Sequence, residues 1–274
     1  MLNSPHFQVD VVEPGIALLT LIPYQKKVFQ FSRDVLDDMR RFLREFPANE
    51  GIKVLVITGT GTIFAAGADI TQMAEMDAKQ AFQFSELGQR VMDAIEQLPL
   101  VTLAAINGAA LGGGSELALA CDFRLAASTA KLGQPEINLG LIPGWGGCRR
   151  LARLVGQSRA RHAIYSGETV TANQALEMGW VDAVAPAENL REVALERARV
   201  YAEKSGLILS YAKQAVLASV FDDDESAQHI ERKVFGECFK SDDAREGMDA
   251  FLNKRAAQFR CTAQADPCPV AGVK

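Results

Sequence analysis

Residues 98–122, LPLVTLAAINGAALGGGSELALACD, decide how the rest of the chain is read. Leu100 to Ile106 is an apolar run of strand length that follows Pro99. Asn107-Gly108 interrupts it, and the run ALGGG (110–114) leads into a helix expected from Ser115 to about Ala120, with Glu116 in its first turn. Leu98 to Ser115 lies in the longest uncharged run, long enough to raise the question of a membrane span. Pro99, Asn107, Gly108 and three consecutive glycines before Glu116 favour a buried strand feeding a glycine turn, and no membrane association is expected.

The same strand–turn–helix syntax extends in both directions. Upstream, Gly15 to Ile22 (GIALLTLI) reads as a strand. Ser32 caps a helix in which Val35, Leu36, Met39, Phe42, Leu43 and Phe46 recur at helical spacing, and Pro47 is expected to stop it. Lys53 to Thr58 (KVLVIT) is a buried-strand run that ends in GTGT and the small-residue loop Phe64 to Asp69, and a helix is expected from Ala78 to Leu98. Downstream, Asp122 to Ala127 and Lys131 to Gly133 read as short strands. The Pro143 to Gly147 turn opens a basic helix carrying Arg149, Arg150 and Arg153. Thr171 and Gly179 bracket a further helix, a strand is expected over Trp180 to Ala185, and Ala187 to Phe259 is almost all helical in pattern. Strands and helices thus alternate through the first two thirds and helices fill the last third: an α/β core with a helical C-terminal region.

Composition narrows the function classes. The chain has 274 residues, 48% apolar and 23% charged, which is a globular composition. Net charge is −5 and the pI is near 5.4, so a general nucleic-acid binder is not expected. The five cysteines form no CxxC pair, which argues against zinc, and their odd number fits a reducing compartment. The N-terminus MLNSPHFQVD lacks a basic segment followed by an apolar one, so no signal peptide is expected and the location expected is cytoplasmic. No GxGxxG opens a helix, and there is neither a GxxxxGK[ST] loop nor a GxSxG elbow. The histidines are three, His6, His162 and His229, and His162 lies in a helical context (RARHAIY), where a surface or packing role is the simpler reading.

Two loops of small residues remain, each following an apolar strand: Phe64 to Ile70 (FAAGADI) and Asn107 to Leu117 (NGAALGGGSEL). Small side chains admit another group close to the backbone, and N–H groups at a helix start are free donors. Two such donors converging from separate loops make an oxyanion hole. Tight strand-to-helix packing explains either loop taken alone. Glu116 follows the glycine run, and Glu136 lies in the apolar, small-residue stretch Gly133 to Gly140. Either acid alone is also what a helix dipole favours at its start. Two carboxylates around one water are an arrangement for general acid–base chemistry.

FAAGADI, NGAALGGGSELALACD and GQPEINLGLIPGWGG, in this order and spacing, resemble the enoyl-CoA hydratase/isomerase (crotonase) family. The resemblance runs from about Phe7 to Phe259 and includes DAREGMDAFLNKR (243–255). It implies a spiral of ββα units, placed here over residues 1–190, and a C-terminal helical oligomerisation region over 191–260 that builds homotrimers or homohexamers; the tail 261–274, polar and without periodicity, is expected to be disordered. It implies an acyl-CoA thioester substrate, whose own coenzyme A is the only cofactor moiety, and no metal. The oxyanion-hole N–H groups would be those of Ala68 and Gly113. Coenzyme A would lie along Ala66, Gly67, Ala68, Asp69 and Ile70, with Phe251 and Lys254 reaching it from the last helices. Both hydratase-type acids are present: Glu136 would exchange the α-proton, Glu116 would activate the attacking water, and the Gly144 N–H would help hold that water. The activity implied is 2-enoyl-CoA hydration to a 3-hydroxyacyl-CoA. The alternatives are an enoyl-CoA Δ-isomerase, a hydratase for branched, dicarboxylic or cyclic acyl groups, and, from another class, a non-catalytic RNA-binding relative. The chain departs from the family between Lys26 and Ser32, where Phe29-Gln30 replaces a small Asn-Ala pair, and at Trp145, which is read either as an acyl-pocket wall or as core packing.

Overall fold

The computed structural model describes residues 4–46 and 51–259. The chain begins with an antiparallel hairpin of β1 (Phe7–Glu13) and β2 (Ile16–Leu21), turned at Pro14-Gly15. β1 was not expected from the sequence. Its inward Phe7 and Val9 alternate with exposed Gln8 and Asp10, the period-2 pattern of an edge strand with one wet face. Beside β2 lie β3 (Val54–Thr58), β5 (Val101–Ile106), β7 (Phe123–Ala127) and β10 (Ala183–Ala185), all parallel, giving the order β1-β2-β3-β5-β7-β10. β3 and β5 are buried on both faces along nearly their whole length, as unbroken apolar runs in a parallel sheet require.

A second sheet has the order β4-β6-β8-β9, from β4 (Ile63–Ala65), β6 (Ala109–Leu111), β8 (Lys131–Gly133) and β9 (Thr169–Thr171). The chain visits both sheets in turn. β3-β4 precede α3 (Ala78–Glu96), β5-β6 precede α4 (Gly113–Ala120), and β7-β8 precede α5 (Gly147–Val155). This repeated ββα unit is the expected spiral. The helix expected from Ser115 starts two residues earlier, because Gly112 (φ +51°, ψ −122°) makes a turn closed to L side chains.

α1 (Arg33–Glu45) starts at Ser32, whose side chain accepts the Val35 N–H, and its buried Val35, Leu36, Met39, Phe42 and Leu43 pack it against α3. The expected stop at Pro47 lies outside the described residues, as does the expected tail 261–274. A short α2 (Ile70–Met73) follows the first small-residue loop. The strand expected over Trp180 to Ala185 shortens to β10, because Trp180 instead closes a turn in the core and Asp182 bonds Arg124.

The later helices are α6 (Gln157–Ser166), α7 (Ala172–Met178), α8 (Leu190–Ala202), α9 (Gly206–Phe221), α10 (Asp224–Cys238) and α11 (Asp242–Leu252). α8 packs on β2, β3, β5 and β7. Lysines fasten the region to the core: Lys53 donates to the carbonyls of Ala202 (3.0 Å) and Lys204 (2.8 Å), and Lys213 to the Leu100 carbonyl (3.0 Å) and the Asp122 carboxylate (2.8 Å). α9 and α10 pair, while Phe235 on α10, Phe239 at its C-cap, and Met248, Phe251 and Leu252 on α11 are exposed.

Candidate active site

The loop after β4 is held by the segment that departs from the family. Ala66 N–H donates to the Phe29 carbonyl, Phe31 N–H to the Gly67 carbonyl and Asp69 N–H to the Phe31 carbonyl, each at 2.9 Å. Phe29 and Phe31 are buried with their rings edge-to-face at 5.0 Å, so this strand-like clip is anchored in the core. Because Gly67 and Asp69 face Phe31, the intervening Ala68 N–H points to the opposite edge. There the second loop arrives. A Cβ built on Gly67 would stand 3.0 Å from the Leu111 carbonyl and 3.5 Å from the Gly113 nitrogen. Gly113 opens α4, so its N–H has no partner one turn back. Among the described residues neither the Ala68 nor the Gly113 N–H donates to an acceptor in the chain.

Glu116 lies one turn into α4, a helix buried over its whole length, and is only 2% exposed. Its Oε1 accepts the N–H groups of Trp145 (2.7 Å) and Gly147 (2.8 Å). Burial pushes its pKa up to about 7; the charge of Glu136 adds to the rise, while the two N–H donors and Arg150 oppose it. Glu136 sits in a single 3-10 turn, Pro135–Leu139, closed by left-handed Gly140. Its carboxyl reaches the glycine turn, with Oε1 2.9 Å from where a Gly112 Cβ would be. Its Oε2 is buried and has no hydrogen-bond partner among the described residues, and burial raises its pKa. An unsatisfied buried polar atom costs about 1–3 kcal/mol, so packing alone does not account for this orphaned oxygen.

Trp145 packs in the core. It is 3% exposed, with Phe31 and Phe84 edge-on at 5.4 Å each. Its indole is wedged between Gly88 of α3 and Gly113 of α4, and a Cβ on either would fall 2.2–2.3 Å from the ring. Gly144, expected to hold water through its N–H, is anchored by its carbonyl, which accepts from Ser85 Oγ (2.7 Å) and Gln89 Nε2 (3.0 Å) of α3.

The structure therefore brings together Ala66 to Asp69, Gly113, Glu116, Glu136 and the 143–147 turn. Asp69 caps α2 and pairs with Lys26 at 3.2 Å; Ile70 beside it is exposed. Burial opposes it, but Lys26 and the Thr71 and Gln72 N–H groups hold the Asp69 carboxyl below its usual pKa. Phe251 and Lys254 stand exposed at the end of α11, and among the described residues no hydrogen bond or ion pair joins them to the 66–70 loop. Sequence reasoning missed Ser85, Gln89 and the burial of Arg150. His162 is on the surface, 3.9 Å from Glu168. Among the described residues no group of three His, Cys, Asp or Glu is placed to hold a metal ion, and no helix is long and apolar enough to cross a membrane.

With this geometry in place, the model of the enoyl-CoA hydratase/isomerase family matches residues 13–262. The chain belongs to the enoyl-CoA hydratase/isomerase family. Among its relatives is the crotonyl-CoA hydratase of Syntrophomonas wolfei, 41% identical over 236 residues that cover 85% of this chain and 90% of that protein. Another is the short-chain-enoyl-CoA hydratase of Clostridium acetobutylicum, 36% identical over 244 residues (89% and 93%). The crystal structure of an enoyl-CoA hydratase from Bacillus anthracis superposes with a TM-score of 0.88 at 35% identity, covering 93% of this chain and 98% of that one. The crotonase fold expected from the three motifs is the fold observed.

Proposed function

We propose that this family member is an enoyl-CoA hydratase that adds water across the 2,3 double bond of a 2-enoyl-CoA thioester to give the 3-hydroxyacyl-CoA. The observation that carries the reading is the convergence at Gly112–Gly113. Two unused N–H groups and the Glu136 carboxyl, with its unpartnered Oε2, border it, and the clamped carboxylate of Glu116 lies close enough to feel the charge of Glu136. The thioester carbonyl oxygen would lie between the Ala68 and Gly113 N–H groups, which stabilise the negative charge that develops as water adds. Ionised Glu116 takes a proton from water as its oxygen attacks the β-carbon. Protonated Glu136 delivers a proton to the α-carbon, and exchange with solvent restores both acids. The raised pKa values suit this division, since one carboxyl must ionise while its neighbour keeps a proton.

The remaining assignments follow from this reading. The acyl-CoA would run along Ala66 to Ile70, with Gly144 beside the attacking water. No cofactor beyond the substrate's coenzyme A enters the scheme. A short acyl chain is proposed, as in the names of the two hydratase relatives. Residues 1–190 would form the core unit and 191–260 the region that builds a homotrimer or homohexamer, covering the exposed apolar side chains of α10 and α11 and bringing Phe251 and Lys254 to coenzyme A. The test is Glu136→Gln assayed with crotonyl-CoA in D2O. Hydration should fall by about 10²–10⁴ and α-proton exchange should stop; normal turnover would sink the assignment.

A further inference from the structure

Glu116 is gripped by main-chain N–H groups, which raises the question of what aims them. Each belongs to a peptide group whose carbonyl is itself bonded. The Gly144–Trp145 peptide gives its N–H to Glu116 and its carbonyl to Ser85 and Gln89. The Gly146–Gly147 peptide gives its N–H to Glu116 and its carbonyl to the Arg150 N–H at 2.8 Å. The Trp145–Gly146 peptide between them is held by Arg150 Nη1, 3.0 Å from the Trp145 carbonyl. Gly146 (φ +100°) lets the turn fold back this closely, since a Cβ there would lie 2.4 Å from Nη1.

Arg150 is fixed in its turn. It is 5% exposed, forks onto Glu96 through Nε (3.1 Å) and Nη2 (2.8 Å), and reaches Asp93 with Nη2. Ser85, Gln89, Asp93 and Glu96 recur along α3 at helical spacing, on one face. We infer that this face of α3, with Arg150, is a rack that positions Glu116: Ser85, Gln89 and Arg150 orient three consecutive peptide groups so that two N–H groups converge on one carboxylate oxygen. None of them need touch substrate. The inference rests on the proposed role of Glu116.

Among the described residues, the charged and titratable groups that face Glu116 are Glu136 from the 3-10 turn and Arg150 and Cys148 from α5; Asp93, Glu96 and Arg149 lie behind Arg150. Weakening the rack withdraws the donors that favour ionised Glu116, so the acid limb of the kcat profile should move to higher pH. The experiment compares Arg150→Met, Arg150→Lys, the double variant Ser85→Ala/Gln89→Ala and Glu116→Gln, each in the full chain with crotonyl-CoA and alongside thermal midpoints. Arg150→Met should lower kcat by about tenfold or more with KM changed by less than about threefold, and move the limb upward. Arg150→Lys should restore part of the limb position, and the Ser85/Gln89 pair should shift it in the same direction without any change of charge. Unmoved limbs in Arg150→Met and in the Ser85/Gln89 pair, with any lost activity matched by lost folded protein, would overturn the inference. If Arg150→Met does not fold, the Ser85/Gln89 pair decides alone. Full activity in Glu116→Gln would instead remove the role of Glu116 itself.

Discussion

Glu116→Gln should stabilise the protein at alkaline pH while disabling it. In the unfolded chain Glu116 ionises near 4.5; in the folded chain burial holds it protonated up to about 7. Between those values the folded state binds more protons than the unfolded one, so raising the pH through this window costs stability. At 1.36 kcal/mol per pH unit the loss is on the order of 3 kcal/mol, complete above pH 7 and absent below about 4.5. Glutamine has no charge to bury, and its Oε1 can still accept from Trp145 and Gly147. Thermal midpoints of wild type and variant at equal protein concentration should therefore differ at pH 8, with the variant higher by several degrees. The gap should shrink to under about 1 kcal/mol near pH 5. Hydration of crotonyl-CoA should fall by about 10²–10⁴ in the same sample. A variant less stable than wild type at pH 8, or a gap that does not change with pH, would refute the reasoning.

Two further outcomes follow from packing and capping. In Gly113→Ala the new Cβ falls 2.3 Å from Trp145 Cζ3, and the ring cannot recede because Gly88 backs it, so α4 must shift. Displacing that N–H should cut kcat by about 10²–10³ and overpacking should cost about 1–3 kcal/mol, read from steady-state kinetics and denaturant midpoints. Asp69→Ala removes the α2 cap and should cost about 1 kcal/mol, whereas Lys26→Ala, which loses only a half-exposed ion pair, should cost less; thermal midpoints separate the two.

The parts of this protein legible in its sequence are those set by local pattern. Apolar periodicity placed α1, α3, β3 and β5, and Ser32 and Thr171 marked helix starts because capping is decided within three residues. Glu116 and Glu136 stood out as acids in apolar surroundings. Arg150 did not, because it belongs to a run of basic residues that reads as a solvated helix face, and the acids that bury it lie 54–57 positions upstream. Phe29 and Phe31 were equally opaque: two aromatics without periodicity give no sign that they clip a loop more than thirty residues away. β1 is marked only weakly, since Phe7 and Val9 alternate with Gln8 and Asp10 for just four residues before Val11-Val12 breaks the pattern.

The indole pinched between Gly88 and Gly113 has a consequence for how this protein can change. Three positions, on two helices and one turn, share a single parcel of volume. A larger residue at 88 or 113 is admissible only after residue 145 has shrunk, and a smaller residue at 145 leaves a hollow that neither glycine fills. Such sites are expected to drift as a set, so saturation libraries varied one position at a time will find this corner intolerant, while joint libraries will find it open.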